Sequence, residues 1–221
     1  MNYKIAEKFI SINGEGQKAG ELSVFIRFHG CNLSCDYCDT KWANSEDTPC
    51  ETMTDEEIVS YIISTGIKNV TLTGGEPMIQ DNIMFLLEKL ASLDDISVEI
   101  ETNGSIDLSS AAKIKNRPSF TMDYKLSSSK MEKYMNTDNF SFLKKEDTVK
   151  FVCGCIADLE KSKYIMDKYS LYGKCALYIS PVFGMIDAAD IVEFMKENQM
   201  NKVKLQLQLH KYIWDPNKRG V

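Results

Sequence analysis

Three cysteines fall within eight residues, in Cys31-Asn32-Leu33-Ser34-Cys35-Asp36-Tyr37-Cys38. This C-x3-C-x2-C spacing puts three thiolates on one loop, close enough to share one metal centre. Structural zinc takes four ligands, and His29 and Cys50 are the candidates for a fourth. A cubane [4Fe–4S] cluster normally takes four cysteines. With three, one iron stays open to an outside ligand, which suits a cluster that binds and reduces a small molecule. The other cysteines are scattered, and Cys153-Gly154-Cys155 reads as buried or incidental thiols. An odd total of seven argues against a disulfide framework.

Further polar and glycine-rich signals follow. Gly74-Gly75-Glu76-Pro77 lets backbone approach a ligand where a Cβ would clash. Glu101-Thr102-Asn103-Gly104 and Asp123-Tyr124-Lys125 are two more such segments, with Glu101 and Asn103 able to face the same ligand.

These segments need elements to hold them. Leu22 to Phe28 has strand composition and runs straight into the cysteine loop. Thr54-Asp55-Glu56-Glu57 has capping-box form, which predicts a helix to Gly66 that buries Ile58, Tyr61 and Ile62. Short strands are predicted at 70–73, 96–100, 119–122, 148–152 and 176–179, with a last one at 203–207. Helices are predicted at 83–93, 157–169 and 188–198. Strand–helix alternation with short joins means βαβ units and a parallel sheet. About six units are too few for an eight-fold barrel of ~250 residues. The expected fold is therefore α/β: a single-domain partial, open βα barrel of about six parallel strands, spanning residues 1–221. In such folds function collects at the C-terminal strand ends, where all the segments above lie.

Composition narrows the class. The 221 residues are 43% hydrophobic and 26% charged, ordinary for a globular domain. A net charge of −6 is a poor basis for non-specific nucleic-acid binding, which runs on phosphate neutralisation. No apolar run approaches a membrane span, and Met1-Asn2-Tyr3-Lys4-Ile5 lacks the apolar centre of a signal peptide. A cytoplasmic location with no nucleic-acid or membrane partner is expected.

The cysteine loop after a first strand, Tyr37 within it, and Gly74-Gly75-Glu76-Pro77 after the next predicted strand together resemble the radical S-adenosylmethionine (SAM) superfamily. The resemblance implies that Cys31, Cys35 and Cys38 hold a [4Fe–4S] cluster whose fourth iron is chelated by SAM, and that one electron cleaves SAM to methionine and a 5′-deoxyadenosyl radical. A narrower resemblance covers nearly the whole chain. Phe9 to Gly16, Phe25 to Phe28, Cys38-Asp39-Thr40, Asp123 to Ser129 and Gln206 to Trp214 are similar to the 7-carboxy-7-deazaguanine synthase family. That family converts 6-carboxy-5,6,7,8-tetrahydropterin into 7-carboxy-7-deazaguanine with loss of ammonia, toward 7-deazapurines such as queuosine. The resemblance also implies Mg2+, a one-electron reductant such as flavodoxin, and a homodimer.

Residue by residue, it implies that Ile12, Asn13, Gly14, Glu15, Arg27, Thr73 and Val221 meet the substrate, with Arg27 on its carboxylate. It implies that Tyr37, Cys38, Asp39, Gly75, Glu76, Glu101, Asn103, Asp123, Tyr124, Lys125, Ser180, Pro181, Val182 and Phe183 meet SAM, and that Thr40 ligates Mg2+. The family often has Gln where Asn13 stands and Ser-Pro-Lys where Asp123-Tyr124-Lys125 stands. The C-terminal tail, rich in aromatic residues from Tyr212 to Trp214, is expected to close over the substrate site, with Val221 using its α-carboxylate. Radical SAM activases, which make a glycyl radical on a partner enzyme, share the cysteine loop but have no need of Arg27 or the Gln-Leu-His tail. A zinc-stabilised binding module would share only the thiols.

Overall fold

The computed structural model describes residues 1–216 and 218–221. Among the described residues, nine strands form one sheet in the order β3-β1-β2-β4-β5-β6-β7-β8-β9. They are β1 (Asn2–Ile12), β2 (Leu22–Phe28), β3 (Glu51–Thr54), β4 (Asn69–Gly74), β5 (Ser97–Thr102), β6 (Ser119–Tyr124), β7 (Thr148–Cys153), β8 (Ala176–Pro181) and β9 (Val203–Leu205). From β2 to β9 every pairing is parallel. β1 pairs antiparallel with both β2 and β3. Among the described residues the parallel set has seven strands, at the seven positions predicted, the last of them shortened to Val203–Leu205. The antiparallel strands β1 and β3 are additions to the predicted pattern. The sheet stays open, since β3 and β9 end it without meeting.

Among the described residues, four helices cover one face: α1 (Asp55–Thr65), α2 (Ile83–Ala91), α3 (Ile156–Lys168) and α4 (Ala188–Glu197). α1 starts with the predicted capping box, Thr54 and Glu57 bonding reciprocally, and stops at Gly66 in the left-handed conformation (φ 71°). Its Ile58 and Ile62 are fully buried, whereas Tyr61 is only half-buried at the core edge. Between β5 and β6, and between β6 and β7, the chain uses short 3-10 turns in place of helices. No helix among the described residues is long and apolar enough to cross a membrane.

The strand period of two separates two environments. Val24, Ile26 and Phe28 of β2, Val70 and Leu72 of β4, Val98 and Ile100 of β5, Phe120, Met122 and Tyr124 of β6, and Val149 and Phe151 of β7 join the core with Leu86, Leu87 and Leu90 of α2. The alternate positions carry the polar residues: Arg27, Thr71 and Thr73, Glu99 and Glu101, Thr121 and Asp123, and Lys150. Most of these line one cavity at the C-terminal strand ends. Parallel strands buried on both faces usually read as continuous apolar runs. Here the inner face breaks that rule at every strand, and the break marks the site.

Candidate active site

The cavity encloses about 740 Å³. Strands β1, β2 and β4 to β7, the cysteine loop and the C-terminal tail all contribute to its wall. Arg27 stands opposite Glu7 in the β1–β2 register and beside Thr73 in the β2–β4 register. Its Nε donates to Glu7 Oε1 at 2.7 Å. That bond holds the guanidinium plane at the wall and leaves its two other nitrogens for a ligand. All three residues line the cavity.

Further round the barrel, Asp123 and Lys150 are neighbours in the β6–β7 register. Lys150 Nζ pairs with Glu15 and lies 3.5 Å from Asp123 Oδ2, while Lys125 Nζ reaches the same oxygen at 2.9 Å. Burial pushes the Asp123 carboxyl up, but the two lysines outweigh it and hold it below the usual range. Burial likewise disfavours the charge on Lys150, and the surrounding Glu15, Asp123 and Glu101 reverse that and raise it. Glu101 lines the cavity too, its carboxyl raised by burial.

Cys31, Cys35 and Cys38 are free thiols on the cavity wall. The loop is pinned by Cys38 N–H to the Cys35 carbonyl (3.3 Å), by Asp36 N–H to Ser129 (3.3 Å) and by Lys41 Nζ to the Asp36 carbonyl (2.8 Å). Cys31 Sγ accepts from the Leu33 amide at 3.4 Å and from Asn103 Nδ2 at 3.7 Å, the kind of donors that stabilise a cluster thiolate. Burial raises the Cys31 and Cys35 thiols. Among the described residues no three His, Cys, Asp or Glu side chains converge on one ion. What Cys31, Cys35 and Cys38 offer is three free sulfur ligands on one cavity wall, the donor chemistry an iron–sulfur cluster takes. The wall also carries buried acceptors without a protein partner: Glu15 Oε1, Asp123 Oδ1 and Asn44 Oδ1. They fit a ligand rich in N–H and O–H donors, as SAM is.

The glycine pair has a different role from the one expected. A Cβ on Gly74 (φ 146°) would meet the Phe28 carbonyl at 2.4 Å, and one on Gly75 would meet the Gly30 carbonyl at 1.9 Å. Glycine is needed there because the turn packs against the protein's own cysteine loop, which Glu76 N–H ties down through Gly30 O at 2.9 Å. Gly75 still lines the cavity.

Several expected contacts lie elsewhere. Glu76 is fully buried behind the wall, and its carboxylate accepts from the Met78 amide (3.0 Å), the Thr102 hydroxyl (2.8 Å) and the Asn103 amide (2.6 Å). It braces the turn against β5. Tyr124 points into the core between Phe140 and Phe151, because Asp123 before it faces the cavity and a strand cannot present both. Asn13 is buried, accepts from Thr71 Oγ1 at 2.8 Å and builds the turn that leads to β2. Ser180 is buried in β8, and neither it nor Pro181 lines the cavity. The structure does bring together Ile12, Gly14, Glu15, Arg27, Tyr37, Asp39, Thr40, Thr73, Glu101, Asn103, Lys125, Val182, Phe183 and Val221 around the cavity.

The reading of the residues missed Glu7, Trp42, Lys150 and His210, which all line the cavity. Lys150 had a signal: it is a lone charge inside the apolar run Val149-Lys150-Phe151-Val152. Trp42 had none, since it is placed by the turn Lys41–Asn44 after the cysteine loop.

A family model described as the radical SAM superfamily matches residues 25–150. The 7-carboxy-7-deazaguanine synthase of Clostridium acetobutylicum is 59% identical over 221 residues, covering 100% of both chains. The enzyme of the same name from Chlorobaculum tepidum is 34% identical over 98% of this chain and 96% of its own. The crystal structure of QueE from Escherichia coli is 24% identical and superposes with a TM-score of 0.73 over 94% of each chain, so the open, mostly parallel sheet is the partial barrel of that fold. With more than half of its length inside the superfamily model and a relative similar from end to end, the chain belongs to the radical SAM superfamily and, within it, to the 7-carboxy-7-deazaguanine synthases.

Proposed function

We propose that the chain performs the reaction its family is named for, the radical ring contraction of 6-carboxy-5,6,7,8-tetrahydropterin to 7-carboxy-7-deazaguanine with loss of ammonia, on the route to queuosine. The observation that carries this reading is the end-to-end similarity to the Clostridium enzyme at 59% identity. The superfamily uses a [4Fe–4S] cluster and SAM, and these supply one-electron chemistry when bound at Cys31, Cys35 and Cys38.

The chain's own residues bind, orient and enclose. Arg27, fixed through Nε by Glu7, offers its remaining nitrogens to the substrate carboxylate, and a planar guanidinium suits that bidentate contact. Glu15 Oε1 is buried and unpartnered, an acceptor ready for the pterin's amino and ring N–H groups. Ile12, Gly14 and Thr73 complete the substrate wall, and Val221 comes to it with the tail. Gly75, Asn103, Asp123, Lys125 and Val182, which line the same cavity as the thiols, are assigned to SAM. Thr40, whose hydroxyl lies 3.5 Å from Cys38 Sγ, is assigned to Mg2+ as a hard oxygen ligand. The tail closes over the cavity and keeps water from the reacting centre. A homodimer and a flavodoxin-type reductant complete the working assembly.

The test is direct. Anaerobically reconstituted protein, given SAM, Mg2+, the pterin and reduced flavodoxin, should release 7-carboxy-7-deazaguanine and ammonium. Formation of 5′-deoxyadenosine only when a polypeptide partner is added would overturn the assignment in favour of an activase. Thr40→Val should raise the Mg2+ concentration for half-maximal rate with iron content unchanged.

A further inference from the structure

Lys150 joins two parts of the cavity that lie far apart in the chain. It stands on β7, directly beside Asp123 of β6, and its ammonium pairs with Glu15 from the loop after β1. The three side chains are only 10%, 19% and 11% exposed. Each acid spends one oxygen on the ammonium and keeps the other free: Glu15 Oε1 and Asp123 Oδ1 are both buried without a partner. A buried acceptor left unpaired carries a desolvation cost. Two such atoms flanking one lysine are a site built for donors that the protein itself does not supply.

We propose that Lys150 is a positioning residue that couples the two ligands, holding Glu15 for the substrate and Asp123 for SAM in one ion-paired unit. The inference rests on the function proposed above. A donor that settles on Glu15 Oε1 fixes that carboxylate, and through it the ammonium and Asp123. The second ligand then meets an ordered partner and loses less entropy on binding. Asp123 keeps Lys125 as a second cation at 2.9 Å, so loss of Lys150 removes the link without stripping Asp123 of its counter-charge.

The test is calorimetry on anaerobic, cluster-loaded protein without reductant, so that no turnover occurs. SAM affinity is measured with and without saturating 6-carboxytetrahydropterin. In the wild type the pterin should tighten SAM binding by about fivefold or more. Lys150→Met should bring that factor close to one, and Lys150→Arg should keep most of it. Glu15→Gln, which preserves shape, should also abolish it and serves as the readout if Lys150→Met fails to fold. A factor unchanged in Lys150→Met or in Glu15→Gln overturns the coupling role while leaving the proposed function standing. A wild-type protein that binds SAM but not the pterin overturns both.

Discussion

The guanidinium carbon of Arg219 lies 4.2 Å from the centroid of the Trp42 ring. This contact joins the tail to the turn that follows the cysteine loop, and both residues line the cavity. A second contact, Lys211 Nζ to Asp39 Oδ2 at 3.5 Å, ties the tail to the same loop. Cation–π stacking over Trp contributes about 0.5–2 kcal/mol, enough to favour the place of a short tail on the cavity wall. Trp42 and Trp214 are the only tryptophans. In a Trp214→Phe background, Arg219→Gln should therefore shift the emission of Trp42 alone and raise the pterin KM several-fold with little change in cluster content. An unchanged emission would mean that the stack is not held in solution.

Arg27 should carry carboxylate recognition. A charge-assisted contact of this kind contributes about 1.5–3 kcal/mol, so Arg27→Ala should weaken pterin binding roughly ten- to a hundred-fold. SAM binding by calorimetry should change little. Glu7→Gln should give a smaller loss, because it removes the charge on the partner that orients Arg27 but not the guanidinium itself. Equal losses for both ligands in Arg27→Ala would contradict the assignment.

Iron and sulfide analysis checks the thiol set. Replacing Cys31, Cys35 or Cys38 by Ala should abolish the brown, broad visible absorbance of anaerobic protein. Ala at Cys50, Cys153, Cys155 or Cys175 should leave iron content near wild type. Cys153 is fully buried in β7, so that variant should also melt earlier. Loss of iron on changing Cys50 would break the three-ligand arrangement.

Glu99 makes stability depend on pH. It is 5% exposed and accepts from the Thr121 hydroxyl. Burial, reinforced by the charge of Glu101, pushes its carboxyl from the ordinary 4.5 up to about 7. As pH rises through that window the unfolded chain gives up this proton before the folded chain does. The folded state is therefore penalised progressively from about 4.5 to about 7, and by a constant amount above. The group's contribution is about 3 kcal/mol at most. Glu99→Gln keeps the shape of the neutral acid, so urea unfolding should show its stability relative to wild type growing between pH 5 and pH 8. A difference that stays flat with pH would show that Glu99 does not titrate in that range.

Much of the architecture was legible because the interactions that set it are local. The capping box at Thr54 and Glu57 and the left-handed stop at Gly66 act within one helical turn, and both formed as read. β1 and β3 escaped notice for the opposite reason. β3 is only four residues long, and β1 presents Glu7 and Lys8 where a regular apolar repeat would be sought; both exist because they pair with each other and with β2 across the sheet edge. Tyr124 follows the strand period alone: if Asp123 faces the cavity, the next strand residue cannot.

By itself the amino-acid sequence determined the cysteine spacing, the alternation of strands and helices, and the placement of Arg27, Asp123 and Lys125 at strand ends, since each depends on residues a few positions apart. Only the tertiary structure decided which charges meet. Glu15 and Lys150 are separated by 135 positions, and Glu7 reaches Arg27 through strand register. Glu76 turned out to brace a turn, and Gly75 proved to be a glycine because Gly30 lies against it. Such outcomes follow from how the sheet curves and how its strands align. They are collective properties of the packed chain, and no local pattern of residue types encodes them.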